Sequence, residues 1–379
     1  MKLFEIDDIP LTHISDNDHE LAHHLMLKAL KNPSSLIDNV QTHLKAAVYK
    51  GSLLPVAINE KAFNTSHVCS MHTTFVSYAR QELRHINKKP VKNLLLGLVS
   101  CLDGILKAAK IDRVVSNNNF FLATCLYPSE ELNEKNLSQY IHNTAQEFKG
   151  HAILFKSLNM HTNAKLMLAL KNIGCHMMPS REIFLFDPAL KDYTAERHYQ
   201  KDLKALKNCK THTLCPPSEF TENDFERMAI LYKMLYIDKH SIYNPMFNRE
   251  YMRQSHASNF IKYYGLRNEK GILDGFIGFY ERHNVTSTPV VGYDTTLLQE
   301  LGLYRMLMAH AISRAHTHEL ILNLSSGASE FKLRRGAVSF IEYHAVYTKH
   351  LKNYFQKLTW GILNSTMTHL GIPIMKKFL

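Results

Sequence analysis

The sequence predicts an α/β chain built as two comparable halves. Three observations carry this. The stretch 271–347 reads strand, strand, helix, strand, turn, strand, each with its own hydrophobic period. The N-terminal half alternates in the same manner, and its strand–helix–Gly–strand tail parallels 319–347 in outline. At 379 residues the chain is long for one domain and suits two.

The first 50 residues read as amphipathic helix over 18–30 and 33–49. Short strands are expected at 53–59 (LLPVAIN) and 66–70. A helix over 75–86 closes in the turn Asn87-Lys-Lys-Pro90, and the apolar run 93–109 ends in a helix. A strand at 112–116 (DRVVS) is followed by an Asn117-Asn-Asn119 turn. The helix predicted over 129–148 opens on Ser129-Glu-Glu, with acids placed to complement the helix dipole, and ends at Gly150. Then come a strand at 151–155, a helix over 163–173 stopped by Gly174, and a strand at 182–186 closed by Asp187-Pro188. Residues 192–210 form a helix-like stretch rich in Lys, Arg and His, and Cys215-Pro-Pro217 marks the boundary into the second half.

A helix over 220–239 has Thr221 as its N-cap with Glu222 and Asp224 following. The polar loop from Asp238 to Pro245 follows it, then a helix over 247–255 and a strand over 260–267. Strands are expected at 272–281 (ILDGFIGFYE) and 287–293 (STPVVGY). Leu297, Leu301, Tyr304, Met308, Ala311 and Ala315 recur at four and three, one apolar face of a helix. Strands at 319–324 and 340–347 flank a Gly turn and short helix over 325–336. A last helix spans 349–370.

Within this half, Gly292-Tyr-Asp294, Gly302-Leu-Tyr-Arg305, the turn Ser326-Gly-Ala-Ser-Glu-Phe-Lys332 and Arg335-Gly336 resemble the second half of an acyltransferase of the GNAT superfamily, and more closely its FemAB-like branch. The resemblance is closest over 244–351. It implies two GNAT-like halves, each a mixed, mostly antiparallel sheet flanked by helices. The expected division is 1–190, a basic helical linker at 191–215, a second half at 216–350 carrying the site, and a C-terminal helix and tail at 351–379. The implied activity is N-acyl transfer: an acyl or aminoacyl group passes directly from an activated donor to a small amine. The donor would be acyl-CoA, a phosphopantetheine-bound acyl group on a carrier protein, or aminoacyl-tRNA. The competing reading is a binding module that keeps the fold and holds RNA or an acidic protein.

The resemblance assigns roles to particular residues. Gln299, Gly302 and Arg305, at the start of the central helix, would contact the donor, since a helix N-terminus offers free N–H groups to phosphate. Tyr304 stands where a small residue would let phosphate approach, which weighs against acyl-CoA. Lys332 and Arg335 would anchor an anionic group or a developing oxyanion. Asp294 is the candidate base or would orient the acceptor, with Glu342 a second acid. Tyr293, Tyr304 and Tyr343 are candidate proton donors to the leaving group. Lys239, His240, Asn244, Tyr293 and Ser326 would line the acceptor site. Two readings of Gly302 stand open: a loop glycine ahead of the helix, or a residue inside a helix that starts earlier from a Thr296–Gln299 capping box.

Composition narrows the remaining choices. With 45 basic and 34 acidic residues the net charge is +11, which suits an anionic partner such as a phosphate-bearing donor, a carrier protein, RNA or a lipid surface. The six cysteines lack Cys-x-x-Cys spacing and read as free thiols, and the 23 histidines are scattered, so no metal is expected. His23 and His24 read as surface or helix-end residues. No Gly-x-Ser-x-Gly elbow supports a serine nucleophile. There is no apolar run of transmembrane length and the start carries acids, so a cytoplasmic location is expected, with homodimerisation and membrane contact by the tail left open.

Overall fold

A computed structural model describes residues 2–83, 89–128 and 134–372. The first half contains β1 (Leu3–Glu5), α1 (Asp18–Ala29), β2 (His43–Tyr49), β3 (Ser52–Asn59) and α2 (Ala79–Glu82), which continues a π-helical segment over Thr73–Tyr78. It goes on with α3 (Lys89–Ala108), β4 (Val114–Asn117), α4 (Glu134–Glu147), β5 (Ala152–Asn159), α5 (Ala164–Ile173) and β6 (His176–Phe186). Then come α6 (Arg197–Lys207), β7 (His212–Cys215), α7 (Glu222–Tyr232), α8 (Arg249–Ala257), β8 (Lys262–Asn268), β9 (Leu273–Arg282) and β10 (Val285–Tyr293). The chain closes with α9 (Leu303–Thr317), β11 (Ile321–Asn323), α10 (Ser329–Leu333), β12 (Val338–Tyr347) and α11 (Tyr354–Thr366).

The strands form one twelve-stranded sheet in the order β1-β2-β3-β4-β5-β12-β6-β11-β10-β9-β8-β7. Only β4–β5 and β10–β11 run parallel, so the sheet is mixed and mostly antiparallel. At its centre β12 inserts between β5 and β6, and β6 lies between β12 and β11. Each half therefore completes the other's sheet with its last strand. Helices cover both faces, and the apolar core is divided among clusters on either side of the strands.

Local chemistry explains most elements. Thr221 and Asp224 close a reciprocal capping box at the start of α7. Gly174 ends α5 in the left-handed conformation, φ 99°. Gly302 adopts φ 68° directly before α9, so the loop reading holds, and the Thr296 hydroxyl bonds Asp294 instead of capping a longer helix.

Several expectations need correction. Residues 33–49 are not a helix. Lys50 and Gly51, both at positive φ, make a two-residue hairpin turn that pairs β2 with β3. Residues 66–70 fold into hydrogen-bonded turns, with Ser70 donating to Asp112. Lys89 and Pro90 start α3, where a missing N–H costs nothing. The stretch 191–215 holds both α6 and β7, the strand at one edge of the sheet. His23 and His24 are buried. The end of the 75–86 helix, the acidic turn at 129–132 and the tail beyond 372 lie outside the described residues.

Gly292 sits where β10 meets α7. A Cβ there would lie 2.5 Å from the Phe276 ring and 2.7 Å from the Leu231 and Tyr232 backbone. Backbone cannot retreat as a side-chain tip can, so Gly292→Ala is expected to destabilise by about 1–3 kcal/mol. Chemical denaturation checks this; an unchanged midpoint would refute the close packing.

Candidate active site

The parallel pair β10–β11 is short. Val285–Ser287 align with Ile321–Asn323, and there the pairing stops. β10 then shifts register against β9 between Ser287 and Val290 and runs on to Tyr293. From Thr288 onward its edge away from β9 has no strand partner among the described residues. β11 instead ends in a turn with Ser325, Gly327 and Ala328 at positive φ. The two chains part, and the gap opens into a cavity of about 620 Å³ lined by both halves of the sequence.

Lys332 stands in the wall of this cavity, 3 % exposed. The turn ahead of α10 aims three carbonyl groups at it. Its Nζ donates to the Leu324, Ser325 and Ser326 oxygens at 2.7, 3.2 and 2.7 Å. Burial, and then the Arg181 charge, pull the ammonium down to about 7. The three carbonyl dipoles hold the protonated form. Lys332 is thus a cation at the edge of losing its charge.

The opposite wall comes from the first half and from the shared strands. Arg181 on β6 grips Glu342 on β12 through two bonds of 2.9 and 3.1 Å and also donates to the Ala123 carbonyl at 2.7 Å. Lys156 on β5 donates to the Val68 carbonyl at 3.0 Å, and burial pulls its ammonium down. Neither Lys156 nor Lys332 has a carboxylate at ion-pair distance among the described residues. The cavity therefore carries an excess of positive charge. Burial, then Lys156 and Arg181, bring His67 down to about 3, and the same causes push His344 well below the usual imidazole range. Both rings are neutral at pH 7. Sequence reading missed Lys156, Arg181, His67 and His344. A lysine within the apolar strand AILFKSLN was a readable signal, because a charge in a buried strand needs a reason.

Tyr304 and Tyr293 face the same space, with ring centres 6.0 Å apart. Burial, then the neighbouring Tyr293, raises the Tyr304 phenol to about 12, so it keeps its proton at neutral pH. Lys239, His240, Asn244 and Ser326 also line the cavity. Asn244 is fixed there by the hydrogen bond its Nδ2 donates to the Tyr236 carbonyl, 2.9 Å.

Asp294, Gln299, Gly302 and Arg305 line a smaller adjoining cavity of about 200 Å³ at the start of α9, which Lys239, Tyr293 and Tyr304 share. Asp294 is not the free base expected from sequence. Its carboxylate accepts from Arg227 at 2.7 Å and from the Thr296 N–H at 3.0 Å and hydroxyl at 2.5 Å. Burial raises its pKa, but the Thr296 and Arg227 bonds outweigh that and hold it below the ordinary carboxylate value. Arg335 lines neither cavity. It lies 3.4 Å over the Phe331 ring and binds Asp202 of α6, buried to 1 % exposure. Arg305 binds the other Asp202 oxygen. The two arginines fasten α6 onto α9 and α10, which corrects the anchoring role expected for Arg335. Tyr343 points away from the cavity into the core on the other face of the sheet.

No protein-family model matches the chain, and no curated protein does. Among solved structures, that of FemX aligns with 96 % of this chain and 100 % of its own, with a TM-score of 0.54 at 8 % identity. The chain shares the fold of the FemX structure. L-PGS from Bacillus licheniformis aligns over 61 % of this chain and 78 % of its own, at TM-score 0.45 and 12 % identity. A tandem GNAT protein from the clavulanic acid biosynthesis pathway aligns over 62 % and 75 %, at TM-score 0.36 and 10 % identity.

Proposed function

We propose that this chain is an acyltransferase that moves an acyl or aminoacyl group directly from an activated donor to an amine within the large cavity. The observation that carries the reading is the open edge of β10, facing a cavity that also presents Tyr304 and Lys332. An unpaired strand edge offers N–H groups to a donor's carbonyl and amide chain. The amine attacks the donor carbonyl, a C–N bond forms, and the bond to the leaving group breaks. The positive charge of Lys332, whose three N–H groups are taken by the turn carbonyls, acts through space on the negative charge that develops on the carbonyl oxygen. Tyr304, protonated at neutral pH, gives its proton to the departing thiolate or alkoxide and recovers one from the amine through solvent. The small cavity beside Gln299 and Gly302, at the N-terminal end of the fifteen-residue α9, receives the donor's distal part.

Thermal stabilisation tests the donor class. The panel is CoA, acetyl-CoA, long-chain acyl-CoAs, phosphopantetheinylated carrier protein and charged tRNA. A ligand of the folded state raises the melting temperature by mass action. One donor is expected to do so, and Gly302→Val is expected to abolish the shift. Nothing from the panel shifting it, together with RNA binding of steep salt dependence and no transfer, would replace this reading with a binding module.

A further inference from the structure

We propose that the face formed by α3 and α11 docks on an anionic lipid surface. Of the eighteen large apolar side chains exposed among the described residues, seven stand on these two helices. On α3, Leu94, Leu98 and Ile105 fall on one face, with exposed Cys101 between them. On α11, Tyr354, Leu358 and Ile362 recur at every fourth position, with Phe355 beside them. The inner sides of both helices, through Leu106, Trp360 and Leu363, enter one core cluster over β4, β5, β12 and β6. The two exposed stripes therefore lie on the same side of the sheet.

Charge selects the occupant. Residues 89–110 hold Lys89, Lys92, Lys107 and Lys110 against Asp103, and 349–372 hold Lys349, Lys352 and Lys357 with no acid. Lys349 turns its ammonium to the Ile173 carbonyl at the end of α5, 3.2 Å away, which leaves six lysines against one aspartate, and the aspartate is already paired to Lys107 at 2.8 Å. A second copy on this face would set like charges against each other, whereas an anionic headgroup layer neutralises them. Apolar stripes within a lysine border are the arrangement of helices that lie in a membrane interface. No helix among the described residues is long and apolar enough to cross a membrane, so these helices would lie on the surface.

The position is suited to delivery. Along β5, Leu154 enters the core cluster under these helices and Lys156, two residues on and on the same face, lines the large cavity. Val346 and His344 on β12 repeat this pairing, as do Met178 and Ser180 on β6. The π-helical segment gives Val76 to the core and Thr74 and Tyr78 to the cavity. A lipid surface held by α3 and α11 is thus one layer from the cavity.

Co-sedimentation of the full chain with vesicles tests this, using phosphatidylcholine alone and phosphatidylcholine mixed with phosphatidylglycerol. Binding is expected with the mixture only and is reversed by salt. Leu98→Glu and Ile362→Glu, at positions 58 % and 57 % exposed, are each expected to weaken it about tenfold. Melting temperatures check that the variants fold; if either does not, Leu94→Ser with Leu358→Ser serves instead. No sedimentation with the anionic vesicles, or sedimentation indifferent to these changes, would overturn the proposal. So would a dimer in solution that Leu98→Glu dissociates, since the face then belongs to a second copy.

Discussion

Transfer by a Lys332→Met protein is expected to fall about 10- to 100-fold with whichever donor stabilises the fold, the range for losing one nearby positive charge that acts through space on a developing oxyanion. Methionine matches the length of the side chain and removes its charge. A merely structural lysine would show its loss in the melting temperature alone. The pH profile separates the two roles. With its ammonium near pH 7, the wild-type protein is expected to lose kcat/KM as pH rises through about 7. Lys332→Arg, which stays charged, should move that alkaline limb upward. Stability should run the other way. In the unfolded chain the lysine holds its proton to about 10.5, while the folded one releases it near 7. Between those values the unfolded state binds more protons, so stability rises with pH, and that slope disappears in Lys332→Met. An unchanged rate and an unchanged profile would remove Lys332 from the mechanism.

Asp202→Asn is expected to cost about 3–5 kcal/mol of stability, the range for breaking one side of a buried ion pair. Asp202 is 1 % exposed and both carboxylate oxygens are engaged, one by Arg305 at 2.7 Å and one by Arg335 at 2.7 Å. Asparagine cannot accept with both ends. It leaves the Arg335 guanidinium buried without a counter-charge. Arg305→Met is the control. The Arg305 side chain is 41 % exposed and its loss leaves Asp202 paired to Arg335, so the cost should stay near 1 kcal/mol. Urea midpoints compare the two. A loss below about 1 kcal/mol for Asp202→Asn would mean that α6 rests on the domain by apolar contact alone.

The prediction for Asp202 arises at a place the sequence misdescribes. Read along the chain, 192–210 is a solvated basic helix, and its lysines support that. The one residue that decides its placement is an aspartate whose partners lie about one hundred and more residues downstream. The same holds for the candidate base. Asp294 follows a strand at the expected position, yet Arg227 on α7 takes its charge. Conversely, Lys332 and Tyr304, singled out by the resemblance, do face the large cavity. Lys156 and Arg181 face it too, from a half that the sequence left without a role.

By itself the sequence determined the kind of element at most positions. The strand–strand–helix–strand order of the second half, the N-cap at Thr221 and the left-handed stop at Gly174 follow from periods and caps that span a few residues. It erred where local preference and pairing disagree, as in the Ala-rich strand that Lys50-Gly51 turns into a hairpin. Tertiary structure alone decided that β12 lies between β5 and β6, that one cavity draws on both halves, and which charges are spent on each other. The reason is physical. A hydrophobic period specifies which face of an element is buried, but strand neighbours and ion-pair partners are chosen by packing across the whole sheet, and no local spacing records that choice.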